Sequence, residues 1–250
     1  MKKTACWMLM MALSAPAFSA VRNAEEDPSA EEALLTWHDP VPWQAGLVFA
    51  RVSRPVEIDG VERDLRGHVA DVMIGVSPWP WLLLYGQVGA SDASLEGAPR
   101  PEFDFGAGGL LGARLNLWQI YQGVQNTAWR LTLQLAGQYA FRDTEDSGSG
   151  DLEWGEALVL LPVDYHLSFA RTSRNAFMDE FQSLHAYVGP AFSKVDGTWT
   201  RNGVERDFEE TRSVGVVGGA ELWLLENLAF GVRADWFEGT SMQVTVRYRF

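Results

Sequence analysis

The last nine residues, Met242 to Phe250, alternate without interruption. Met242, Val244, Val246, Tyr248 and Phe250 fall on one side of an extended chain, and Gln243, Thr245, Arg247 and Arg249 on the other. Successive side chains of a strand point to opposite faces, so the segment predicts a strand with one apolar and one polar face. The same split recurs at 103–117, 129–141 and 228–236, in runs of 9 to 15 residues. Strands of soluble domains mostly have about five or six residues, whereas a tilted strand crossing a bilayer needs about 9–11.

Averages conceal this order. The chain has 250 residues, 47% of them hydrophobic and 21% charged, at a mean hydropathy of −0.10, which alone would suit one soluble domain. A formal charge of −13 argues against nucleic acid as a partner, because phosphate backbones repel such a surface. After residue 20 no apolar run approaches the ~18 residues that a spanning helix requires.

Residues 1–20 read as a secretory signal peptide: Lys2 and Lys3 are basic, Ala5 to Leu13 are mostly apolar, and Ala17-Phe18-Ser19 offers a small-residue cleavage site. Removing them takes two of the 20 basic residues and the single cysteine, Cys6, leaving 18 basic against 33 acidic residues. The exported chain is expected to have no disulfide. Residues 21–42 form an acidic segment, with Ser29 as a cap for a short helix at 30–37, that lies either in the periplasm or in the lumen.

Two dipeptides, Asp59-Gly60 and Asn202-Gly203, are strong hairpin signals between alternating runs. Each glycine begins the same string, Gly60-Val-Glu-Arg-Asp64 and Gly203-Val-Glu-Arg-Asp207, as a duplicated hairpin would. Paired residues must share a face. A two-residue turn at the first hairpin pairs Phe49 with Ala70, Leu47 with Val72 and Ala45 with Ile74. At the second, parity favours a three-residue loop, Arg201 to Gly203, with a glycine bulge that sets Leu184 beside Ala220 and Val188 beside Val216. Strands are then expected at 43–58, 61–76, 81–91, 102–117, 128–141, 152–169, 183–200, 204–225, 228–237 and 242–250, with longer links at 118–127 and 170–182. Ten is even, as single-chain bacterial barrels require, although eight or twelve also fit. Trp43, Trp79, Trp81, Trp118, Trp129, Trp154, Trp223 and Trp236 fall near strand ends, as in interfacial aromatic girdles.

A leader, alternating strands and a last strand ending Val244-Thr-Val-Arg-Tyr-Arg-Phe250 resemble bacterial outer-membrane β-barrel proteins. Tyr85-Gly-Gln-Val-Gly89 resembles strands of small barrels of the OmpA and opacity-protein type. The resemblance implies an all-β, membrane-spanning, antiparallel up-and-down barrel over residues 43–250, in a Gram-negative-type outer membrane with both termini periplasmic. It makes Val246, Tyr248 and Phe250 the barrel-insertion signal, and outer-membrane lipid and the barrel-assembly machinery the partners. The hairpin loops Glu57–Asp64 and Val204–Phe208 would be open to an extracellular ligand.

With the apolar face on lipid, the polar face lines the lumen: Asp104, Arg114, Arg130, Gln134, Gln138, Glu221, Arg233, Asp235, Arg247 and Arg249, with Asp71, Gln87, Asn116 and Asp164 beside them. Opposite charges in a narrow lumen pair, because a lone charge in a low-dielectric space is costly. The expected role is structural or surface-interacting with a largely side-chain-filled lumen. The alternative is a narrow porin-like channel for small solutes. Glycine-rich stretches such as 106–112 are read as places of tight curvature.

Asp164, His166 and Ser168 alternate on one inward face, the residue types of a Ser-His-Asp acyl-transfer site. They resemble the His-x-Ser pair of outer-membrane lipid A deacylases, but Phe169 stands where that motif has Asn. Residues i and i+2 of a strand are also ~7 Å apart at the backbone. No enzyme activity is expected, and a lipid A acyl hydrolase is the remote alternative. His38, His68 and His185 have no metal-ligand spacing, and no cofactor or metal is expected.

Overall fold

The computed structural model describes residues 43–95, 105–124, 127–144, 150–169, 181–201, 203–224 and 227–250. The leader, residues 21–42 and Asp104 lie outside the described residues. Twelve strands account for the fold: β1 (Trp43–Ile58), β2 (Val61–Trp79), β3 (Leu82–Leu95), β4 (Gly106–Val124), β5 (Thr127–Thr144), β6 (Asp151–Leu160), β7 (Val163–Phe169), β8 (Phe181–Arg201), β9 (Val204–Glu210), β10 (Val214–Leu224), β11 (Leu228–Phe237) and β12 (Gly239–Arg249). Ten of them, β1 to β6, β8 and β10 to β12, form a closed antiparallel ring. Closure is made by β12 on β1, from Gln44 opposite Arg249 to Arg51 opposite Met242. The Phe250 N–H donates to the Trp43 carbonyl at 2.8 Å, so both ends of the ring's chain meet at one rim, here the terminal rim.

The remaining two strands extend lines of the ring, which is why two expected long strands are each seen as two. β7 continues β6 between β5 and β8 in unbroken register. The interruption is chemical: Pro162 has no N–H to donate, and Leu161 bonds across to the Pro190 carbonyl at 3.0 Å. β9 precedes β10 but has a different neighbour. At the hairpin rim β11 and β12 end early, at Phe237 and Gly239. β9 therefore pairs with β1 across the gap, placing Ile58 opposite Phe208 and Val56 opposite Glu210.

That change of partner corrects the expected bulge. Arg201 pairs with Val204, so the second hairpin has a two-residue turn, while below it Val188 pairs with Gly218 and Leu184 with Leu222. The one-residue slip between these registers sits at Thr211 to Ser213, where the chain passes from β1 to β11, and not at the tip. The first hairpin has the expected pairs, with Asp59 and Gly60 at φ of 51° and 77° as a type I′ turn needs. Two other expectations change. The link at 118–127 is strand almost throughout, because a bulge between Asn116 and Trp118 restores alternation and carries β4 on to Val124. Of the tryptophans placed in girdles, Trp154 and Trp223 point into the barrel and are buried.

The wall is inside out. Leu47, Val72, Ile74, Val88, Leu111, Tyr139, Val188, Val232 and Met242 are exposed, Leu111 to 75%. Asp71, Gln87, Arg142, Asp164, Asp235 and Arg247 are buried on the inner face. Trp43, Trp79, Trp81 and Trp118 are exposed near the terminal rim, where Trp79 and Trp81 stack at 5.4 Å.

Candidate functional site

The lumen is layered. At the hairpin rim the inward positions are apolar: Val56, Ile58, Leu65, Leu95, Leu152, Trp154, Val195, Trp199 and Phe208 form one buried cluster. These side chains pack on one another as those of a soluble core do. Beneath it lies Arg54, 2% exposed, bonded to Glu156 at 2.8 Å, with Glu210 at 3.8 Å and the Phe237 ring 4.1 Å from its guanidinium carbon. Further down, Arg142 clasps Asp71 through two hydrogen bonds of 2.8 and 2.5 Å.

These long side chains lie flat along the inner wall because glycines give them room. Tyr85 crosses Gly112 to donate to the Gln138 Oε1 at 3.1 Å, and a Cβ on Gly112 would come within 2.3 Å of the Tyr85 ring. Tyr187 lies over Gly219 in the same manner, 2.4 Å from where a Cβ would stand. Gly108 and Gly112 of the glycine-rich stretch of β4 are therefore seats for the Arg142 and Tyr85 side chains.

Below this layer is a cavity of about 130 Å³, lined by Tyr85, Arg114, Gln134, Gln138, Tyr187, Glu221, Arg233 and Arg247 among others. A smaller one, about 60 Å³, lies between it and Arg54. Arg233 is held by Asp235 through bonds of 2.8 and 2.7 Å, and Arg247 is paired with Glu221. Arg249 is at the terminal rim, its guanidinium carbon 4.3 Å from the Trp223 ring.

Near that rim β7 and β8 set His166 opposite His185, the rings stacked at 3.9 Å. Ser168 Oγ is 3.0 Å from His166 Nε2, so the i, i+2 spacing does permit that contact. Asp164 does not complete a triad: its carboxylate faces His185 Nδ1 at 3.5 Å. The group on His166 Nδ1 is the Arg130 guanidinium at 3.0 Å. Arginine only donates, so Nδ1 must accept, and the proton of the neutral ring sits on Nε2. His166 then donates to Ser168 and cannot take its proton. Among the described residues no cluster of three or more His, Cys, Asp or Glu is placed to hold a metal ion.

An apolar exterior around a closed ring, with ionic pairs inside it, decides the class. The fold is that of an outer-membrane β-barrel. No protein-family model matches the chain. No curated protein matches it either. Among solved structures it is similar to the translocator domain of the autotransporter NalP from Neisseria meningitidis, at 12% identity over 89% of this chain and 93% of that one, with a TM-score of 0.32. It is also similar to a loop-deletion mutant of the outer-membrane protein OmpT of Vibrio cholerae, at 9% identity over 84% and 99% of the two chains and a TM-score of 0.19. The assignment of the barrel to its fold rests on its own wall.

Of the lumen residues expected from sequence, Gln134, Gln138, Arg114, Glu221, Arg233 and Arg247 meet at the large cavity, Asp235 adjoins it, and Arg130 and Arg249 lie nearer the terminal rim. Tyr248 and Phe250 face outward, ring centroids 5.2 Å apart, and Val246 is half-buried beside them. Sequence reasoning missed Arg54, Arg142, Tyr85 and Tyr187 as inner residues. The signal was present in the paired glycines, but only the register reveals which glycine lies beside which long side chain.

Proposed function

We propose that this is a sealed outer-membrane barrel with a structural and surface-interaction role, its hairpin rim outside the cell and both termini in the periplasm. The observation that carries the reading is the apolar cluster around Phe208 and Trp154, nine buried side chains packed together at the hairpin rim. A solute path would have to pass through nine packed hydrophobic side chains and the Arg54 layer beneath them. The two hairpins lean together into one projecting sheet, joined by Arg206 to Asp59 at 2.9 Å, and this sheet is the surface offered to a partner. Chemistry at Ser168 forms no part of the role, given the direction of its bond with His166.

The test is planar-bilayer recording of the refolded protein. A sealed barrel gives a quiet baseline, and steady single-channel conductance would overturn the reading in favour of a porin-like channel. Removing the tips at Glu57–Asp64 and Val204–Phe208 should abolish surface binding while the heat-modifiable gel shift of a folded barrel persists.

A further inference from the structure

The arginines around the large cavity are unequal. Arg233 and Arg247 each face a carboxylate, whereas Arg114, which lines the same cavity, has no hydrogen-bond or ion-pair partner among the described residues. Nor is Arg247 fully used: it is 8% exposed, and its Nε is buried with no hydrogen-bond partner among the described residues. The two line the same cavity. In the terminal half of the lumen Arg114, Arg130, Arg233 and Arg247 meet only Asp164, Glu221 and Asp235 among the described residues, which leaves a surplus cation. A cation in a low-dielectric space is costly without a countercharge, and water satisfies its N–H groups without neutralising it.

We propose that the cavity binds a small oxyanion, phosphate or sulfate in class, between Arg114 and Arg247. Guanidinium groups present planar forks of N–H donors that match oxygen pairs of such ions. Tyr85 and Tyr187 line the same space, and Glu221, already engaged by Arg247, is the one carboxylate among its described lining residues. A cavity of about 130 Å³ has room for a small ion together with several waters. Entry is from the terminal rim, where Arg130 and Arg249 draw anions inward. Only this direction of entry rests on the sealed-barrel reading: a conducting barrel that binds phosphate would overturn that reading and leave the site standing.

The experiment is titration calorimetry of the full chain, refolded in detergent micelles, with inorganic phosphate. Saturable binding of one phosphate per barrel is expected, weakened at least tenfold by Arg114→Gln and unchanged by Arg201→Gln at the exposed hairpin tip. Absence of saturable binding to heat-modifiable wild-type barrel would overturn the site, as would equal affinity in Arg114→Gln. If Arg114→Gln does not fold, Arg114→Lys keeps the charge and loses the fork. Its affinity should then fall at least threefold, and an unchanged value overturns the proposal. Sulfate should compete with phosphate, and equal competition by chloride would overturn the oxyanion class.

Discussion

Asp71 and Arg142 bond to one another through both carboxylate oxygens, although two strands separate β2 from β5. They occupy one row of the sheet: Asp71 is opposite Gly89, Gly89 opposite Gly108, and Gly108 opposite Arg142. Three strand spacings amount to roughly 14 Å along the wall. The pair closes that distance by lying over two residues that have no side chain. Asp71 is 3% exposed and Arg142 5%, so either charge left alone would be buried.

Breaking this pair should therefore cost far more than a surface ion pair. Asp71→Ala leaves the guanidinium unpaired in the lumen and is expected to destabilise the barrel by about 3–5 kcal/mol in denaturant unfolding from micelles. Asp71→Leu combined with Arg142→Met should recover most of that loss, because the double change removes both desolvated charges. A double variant no more stable than Asp71→Ala would show that the pair is not the source of the effect.

The glycine seats give a second contrast. A Cβ on Gly108 would stand 2.5 Å from Arg142 Cδ and 2.9 Å from the Phe141 carbonyl oxygen, whereas one on Gly137 of β5 would meet nothing within 4 Å. Gly108→Ala should lower the unfolding midpoint and Gly137→Ala should leave it unchanged or slightly raised, since removing glycine from a strand costs no packing there. Equal effects at the two positions would dismiss the seat.

How much of this could be read beforehand depends on the range of the signal. The inside-out wall was legible because alternation is local: Met242 to Phe250 states its two faces without reference to any other strand. The first hairpin was legible for the same reason, its turn and its pairs lying within one short stretch. The second misled because Thr211 to Ser213 hold a slip whose cause, the early end of β11 and β12, lies elsewhere in the chain. Trp154 looked like a girdle residue, being near a strand end, yet β6 begins within the apolar cap, where Trp154 is buried with Leu152. At the candidate site, residue types were legible but partners were not. Asp164, His166 and Ser168 share a face, and only β8 and β5, bringing His185 and Arg130, decide which of them bond.

The arrangement at His166 gives an expectation that does not depend on activity. With Arg130 donating to Nδ1, the ring's proton belongs on Nε2, directed at Ser168. Nitrogen-15 spectra of the imidazole should show a pyridine-like Nδ1 and a pyrrole-like Nε2. Arg130→Met should release this constraint and let the tautomers mix. A protonated Nδ1 in the unaltered barrel would restore His166 as a base for Ser168.

Glu210 ends β9, one of the two strands outside the ten-stranded ring, and supplies a pH dependence. Burial pushes its carboxyl above the ordinary value, against smaller opposing effects of the Ser193 hydroxyl and the Arg54 guanidinium. A folded-state pKa above the unfolded one means that protonation favours the folded tip. This contribution is complete below the usual glutamate range near 4.5 and is lost as pH rises through the raised value. Fluorescence of Trp199 and Trp154, both buried in the cap beside it, should report a cap that loosens as pH rises through this interval. Glu210→Gln should flatten the response, and a response that persists in that variant would place the titrating group elsewhere.

The cap itself can be opened. Phe208 is 2% exposed and stands opposite Ile58 of β1 and Gly197 of β8, so it ties both hairpins together as well as filling the lumen. Phe208→Ala should cost about 3–5 kcal/mol locally, the range for emptying a buried aromatic site. Because the ring below is closed by its own β1–β12 pairing, the loss should appear at the rim and leave the heat-modifiable shift intact. Protease sensitivity at the hairpins should rise while the wall stays protected. With Trp154→Ala added, two of the largest side chains leave the cluster, and brief conductance events should interrupt the otherwise quiet baseline. If the doubly substituted barrel stays silent while its hairpins are cleaved, the seal lies lower, in the Arg54 layer with Glu156 and Phe237.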